Sequence, residues 1–204
     1  MFHEGSRHLQ DRFGTRALAD RIVEVAAHST FTEGDRQFIE SRPMFFLATA
    51  DAQGQPDCSY KGGMPGFIRV IGPDELAFPS YDGNGMFKSL GNISVNPPVG
   101  LLFIDFESPR RLRVNGIARV DMDDPLLHEF EGAQGVVRVR AQAIFPNCPR
   151  YIHPVPGTEL SVHAPRVGHV PPPPEWKTRP QYREVLPASD PLSVRAGDPS
   201  SDAV

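Results

Sequence analysis

The sequence predicts a mainly β protein whose antiparallel strands close, or nearly close, into a barrel with helices outside it. Three observations lead there. Short apolar or alternating runs recur between residues 44 and 145, each bounded by Gly, Pro, Asn or Asp. No strand–helix–strand rhythm and no internal repeat runs through the chain, which argues against a parallel sheet. Apolar content of 39% in 204 residues is enough to build a core without disulfides or metal.

Residues 1–43 read as helices packing on the barrel. In TRALADRIVEVAA (15–27), Leu18, Ile22 and Val25 recur at three- and four-residue spacing, giving one apolar stripe, and Thr15 is the expected N-cap. A second helix is expected from Thr32, with Glu33 and Asp35 near its positive end, stopping before Pro43. Residues 44–153 read as the barrel. MFFLATA (44–50) and residues 55–61 flank the turn Asp51-Ala52-Gln53-Gly54, as in a hairpin. Strands are expected at 67–71, 76–80, 99–106, 111–120 and 135–145, with a short helix over 123–130. In 111–120, Leu112 and Val114 share one face while Arg111, Arg113 and Asn115 share the other. Residues 154–187 are Pro-rich, with Pro171 to Pro174 in a row. They read as a semi-rigid arm near a packed Trp176, or as a ligand for a polyproline-binding module. The tail 188–204 is small and polar and is expected to be disordered.

Composition excludes several functions. A net charge of −4 argues against general nucleic-acid binding. No apolar run reaches the ~18 residues of a membrane span, and no signal peptide is recognisable. Cys58 and Cys148 are too few for a disulfide framework or a zinc site, so a reducing cytoplasm is expected. The seven histidines show no metal-ligand spacing, so no metal is expected. A P-loop, a Rossmann fingerprint, a nucleophile elbow and an HExxH pair are all missing. What remains is a set of small residues and cations: Lys61, Ser80, Asn84, Lys88, Arg110, Arg111 and Arg113. Arginine and lysine beside turns that let the backbone approach suit a phosphate-bearing ligand.

The order FPSYDGNGMFKSLGNISVNPPVGLLFIDFESPRRLRVNG resembles the flavin-binding core of the pyridoxamine 5′-phosphate oxidase family, and FFLATADAQGQPDCSYKGG resembles its first hairpin. The resemblance covers about 45–120. It implies a six-stranded antiparallel Greek-key split barrel that binds FMN, in a homodimer whose subunits share each flavin site. It puts Ser59, Tyr60 and Lys61 along the flavin edge and matches Ser80 to a small hydroxyl residue of the family. Asn84 and Lys88 stand at its phosphate-binding pair. Arg111 takes the place of a flavin-contacting Gln, with Arg113 facing the same way. Met64 falls where the family enzyme has a basic substrate-phosphate residue, and the family's C-terminal Arg segment is not recognisable. A related subgroup is therefore implied rather than the vitamin-salvage enzyme itself.

The expected function is FMN-dependent oxidation or reduction of a small organic molecule, with no catalytic residue assigned. A non-catalytic flavin-sequestering or sensing protein, and a barrel that uses deazaflavin or haem, are the alternatives.

Overall fold

Three helices precede the first strand of the computed structural model, which describes residues 1–148, 152–153, 155, 162–173, 175–178 and 190–192. They are α1 (Glu4–Arg12), α2 (Arg16–Ala26) and α3 (Glu33–Glu40). Thr15 precedes α2 but makes no side-chain cap bond, and Leu18, Ile22 and Val25 stay exposed. Neither α1 nor α2 buries a residue. In α3 the expected start is fully built. The Thr32 hydroxyl accepts from the Asp35 amide at 3.2 Å, and the Asp35 carboxylate accepts from the Thr32 amide at 2.9 Å. His28 Nε2 also donates to that carboxylate, at 2.8 Å. Burial pushes the Asp35 carboxyl upward, but these bonds outweigh it and hold the group below its ordinary range. So anchored, α3 turns Phe38 and Ile39 into the core.

The strands are β1 (Met44–Ala50), β2 (Pro56–Gly62), β3 (Arg69–Val70), β4 (Glu75–Tyr81), β5 (Pro98–Asp105), β6 (Arg110–Asp121) and β7 (Ala133–Pro146), with α4 (Lys88–Val95) between β4 and β5. They form one antiparallel sheet in the order β2-β1-β5-β6-β7-β4-β3. There are thus seven strands where the resemblance implied six. The extra one is minimal, because the Phe67 amide is bonded to Met64 O in the preceding loop and pairing with β4 is left to Arg69 and Val70. The helix expected over 123–130 is a single 3₁₀ segment, Pro125–Glu129, started by the Asp124 carboxylate accepting from the Leu126 amide at 2.9 Å.

The sheet curls on itself. Phe45 of β1 lies against Phe103 of β5, Phe67, and Phe78 of β4, with ring centroids 5.3, 6.1 and 5.0 Å away. Three strands separate β1 from β4 in the sheet, so only curvature brings those rings together. Among the described residues the outer strands β2 and β3 do not pair, which leaves the barrel split. Part of the bend comes from a bulge at Asn115/Gly116. A Cβ at Gly116 would lie 2.3 Å from Arg140 O, so only glycine permits that approach. Helix α4 buries Leu90 and Ile93 and ends at Asn96, before Pro97.

Contacts divide the chain into units Met1–Glu159 and Leu160–Val204. In the second, His163 Nδ1 donates to Pro172 O at 3.0 Å and His169 Nε2 to Val162 O at 2.6 Å. Pro174, the Trp176 ring and most of the tail from Ala188 lie outside the described residues. No helix among the described residues is long and apolar enough to cross a membrane.

Candidate functional site

Residues paired across an antiparallel ladder share a face. Phe45, Leu47 and Thr49 of β1 are buried, and their partners on β2 are Lys61, Ser59 and Asp57. These three therefore face the barrel interior. Tyr60 pairs with Phe46 on the outside, where the two rings meet edge to face at 6.1 Å. The β4–β7 ladder breaks register at Ser80/Tyr81, and beyond it the chain leaves the sheet through Asp82-Gly83-Asn84-Gly85. Gly85 has φ +74°, a conformation natural to glycine. Phe87, just before α4, has φ +48°, a strained value for a bulky residue.

A cavity of about 240 Å³ opens where β2, β4 and α4 converge. Phe67, Phe78, Leu90 and Val137 give it an apolar floor, while Lys61, Ser80 and Tyr81 give it polar walls. Burial pushes the Lys61 ammonium below its ordinary value, partly opposed by the Asp57 carboxylate. Burial pushes the Tyr81 phenol up, partly opposed by Arg69. A desolvated lysine in a cleft is the kind of perturbed group that marks ligand sites.

Helix α4 adds the second part. No side chain caps its start, so the amides of its first turn have no intrahelical partner. Lys88 is its first residue, and its Nζ lies 3.7 Å from Asp57 Oδ1. One turn on, Asn92 Nδ2 donates to Thr49 Oγ1 at 3.0 Å, with both residues buried. A further turn on, Asn96 Nδ2 donates to Asp51 O at 3.0 Å. Residues 88, 92 and 96 thus form one stripe that fastens α4 to the β1–β2 hairpin.

Of the residues singled out in the sequence, Lys61 and Ser80 line the cavity, and Tyr60 borders it while its ring packs on Phe46 on the outer face. Ser59 faces the interior, and its hydroxyl donates to Tyr60 O at 3.4 Å. The Asn84 side chain accepts from the Met86 amide at 3.0 Å, holding its own turn. Arg111 and Arg113 lie on the outer face. Arg113 stands in the row Tyr60–Phe46–Leu102–Arg113–Phe145, which crosses five strands. Arg111 Nε is buried without a hydrogen-bond partner. One chain therefore does not bring these arginines to the Lys61 cavity. Asp57 went unnoticed in the sequence. The signal for Asp57 was there, since residue 57 shares the face of 61 in any strand.

The curled sheet, with a cleft between a β hairpin and the uncapped start of a helix, defines an antiparallel split barrel. The chain belongs to the pyridoxamine 5′-phosphate oxidase family, whose family model matches residues 31–167. None of the curated proteins matches it. Among solved structures it is similar to HupZ of Group A Streptococcus, with 18% identity over 57% of this chain and 93% of that one and a TM-score of 0.48. It is also similar to an FMN-binding protein of Syntrophomonas wolfei, with 11% identity over 69% and 97% of the two chains and a TM-score of 0.45. HutZ of Vibrio cholerae, a heme storage protein, shares 21% identity over 53% and 89%, with a TM-score of 0.41.

A flavin mononucleotide fits the donors present. Orphan amides and Lys88 suit a phosphate monoester, and Lys61 beside an apolar floor suits a ring that gains negative charge on reduction.

Proposed function

We propose that this protein is an FMN-dependent oxidoreductase that works as a homodimer on a small organic substrate. The observation that carries the reading is the cleft where the desolvated Lys61 and Ser80 meet the first turn of α4 through Leu90, with the uncapped start of that helix and Lys88 two residues before Leu90, in a chain of this family.

In this reading the first-turn amides of α4 and the Lys88 ammonium hold the phosphate. Ser80 and the backbone around Tyr60 and Lys61 position the ring edge. Lys61 favours the reduced, anionic form because its own charge is poorly solvated and gains a partner there. FMN, when bound, would supply the redox chemistry, and no side-chain acid or base is assigned.

Two features support the dimer. The cavity of about 240 Å³ is below the roughly 300–1,000 Å³ of pockets that enclose a whole ligand. Arg111 and Arg113 face away from it, on a sheet surface that also carries Tyr60, Phe46 and Leu102. A second copy against that surface completes the site, with the arginines of one subunit reaching the flavin held by the other.

The test is direct. Purified protein should be yellow, absorb near ~450 nm and release FMN on denaturation. Colourless protein that takes up no added FMN overturns the proposal. Bound FMN that no nicotinamide nucleotide, amine or other donor reduces leaves flavin binding standing and removes the oxidoreductase.

A further inference from the structure

Asp57 has no part in the grip described above, yet it sits beside it. Its side chain shares the inner face with Lys61, four residues along β2, and its carboxylate is 3.7 Å from Lys88 Nζ. Its charge also opposes the effect of burial on Lys61. A single carboxylate thus lies beside Lys88 and on the same strand face as Lys61.

Its place on the strand is fixed through β1. Asp57 pairs with Thr49 across the ladder, and Thr49 is bonded to Asn92, one turn after Lys88. The backbone of Asp57 therefore stays beside α4 as long as that buried hydrogen bond holds. Lys88 is different. Its side chain is 57% exposed and long, so it can leave the carboxylate for another anion.

We propose that Asp57 is a built-in competitor for the ligand's phosphate, one that sets how strongly the cleft prefers a phosphorylated flavin over an unphosphorylated one. The inference rests on the flavin reading above. With the cleft empty, Asp57 holds Lys88 by charge. When a phosphate arrives, Lys88 exchanges partners, and the phosphate then sits within one lysine's reach of a fixed negative charge. Both effects weaken phosphate binding. Neither touches a flavin without phosphate, for which Lys88 keeps its carboxylate.

The experiment is isothermal titration of FMN and of riboflavin into four full-length proteins: wild type, Asp57→Asn, Lys88→Ala and the double variant. Asp57→Asn should bind FMN about two- to fivefold more tightly than wild type, the size of one partly exposed ion pair. Its riboflavin affinity should not change, and the gain on FMN should vanish in the Lys88→Ala background. Equal gains for both flavins, a gain that survives loss of Lys88, or weaker FMN binding by Asp57→Asn each overturn the proposal while leaving the flavin site intact. No binding of FMN by any of the four proteins removes the flavin reading and this inference with it.

Discussion

The rings of Phe45 and Phe78 meet edge to face, with centroids 5.0 Å apart, although β5, β6 and β7 lie between their strands in the sheet. Phe45 is fully buried and Phe78 nearly so. This contact joins the two ends of the sheet through its interior, in place of the ladder that β2 and β3 do not form. Phe78 also floors the cavity, so core packing and site shape share one side chain.

Phe78→Ala should therefore cost about 3–5 kcal/mol of unfolding free energy, the usual price of emptying a buried aromatic site. Urea denaturation followed by intrinsic fluorescence or circular dichroism measures it. A loss under about 1 kcal/mol would mean that the barrel closes without this contact.

A second fastening is ionic. Asp124 is buried and receives two bonds from Arg138, Nε at 2.5 Å and Nη2 at 2.9 Å. The Arg138 hydrogen bonds lower the Asp124 carboxyl further below 3.8 than burial raises it. Asp124→Ala strands a guanidinium that is 17% exposed and keeps Glu75, at 3.3 Å, as its carboxylate partner among the described residues. The expected loss is about 3 kcal/mol, the low end for breaking a buried pair. The sign with pH follows from the lowered carboxyl. Its contribution is full above 3.8 and disappears as pH falls through the native value. The gap between wild type and variant should thus shrink in acid; a gap independent of pH would contradict the assignment.

Much of this fold was legible because alternation and turn residues are local signals. The hairpin around Gly54 and the helix start at Thr32 are each written within a few residues. The uncovered stripe of α2 was not legible. Leu18, Ile22 and Val25 have the spacing of a packed face, and spacing does not say what packs against it. The site was half legible for a similar reason. Lys61 and Ser80 lie near strand ends that meet at the cavity. Whether Arg111 joins them depends on which side of a curled sheet it faces, and that follows from long-range register with β5.

Lys88→Ala should weaken FMN binding by about 1.5–3 kcal/mol, the range for a hydrogen bond to a charged group. The comparison with riboflavin, which has no phosphate, makes the result specific. A loss of equal size for both ligands would place Lys88 away from the phosphate.

Leu102 stands at the centre of the outer row, between Phe46 and Arg113. A charge there is tolerated by a partly exposed position within one chain but is costly against a second copy. Leu102→Glu should give a folded monomer by light scattering, with flavin affinity reduced at least tenfold, about 1.4 kcal/mol. A dimer that retains FMN would move the interface elsewhere.

The last prediction concerns Lys61 in the ligand-free protein. Burial disfavours its charged form, and the Asp57 carboxylate only partly compensates, so its native pKa lies below the ordinary 10.5. The unfolded chain then binds the proton more tightly than the folded one. Stability is penalised wherever Lys61 is charged in both states, which includes neutral pH. The penalty is relieved as pH rises from the native value towards 10.5. Lys61→Met keeps the length of the side chain and removes the charge, so it should be more stable than wild type at pH 7, and its advantage should shrink as pH climbs through that window. Thermal unfolding across the alkaline range reads this out. The same substitution should weaken binding of reduced FMN more than of oxidised FMN, seen as a lower flavin reduction potential. Greater stability with an unchanged potential would show that Lys61 is desolvated by the fold but does not face the ring.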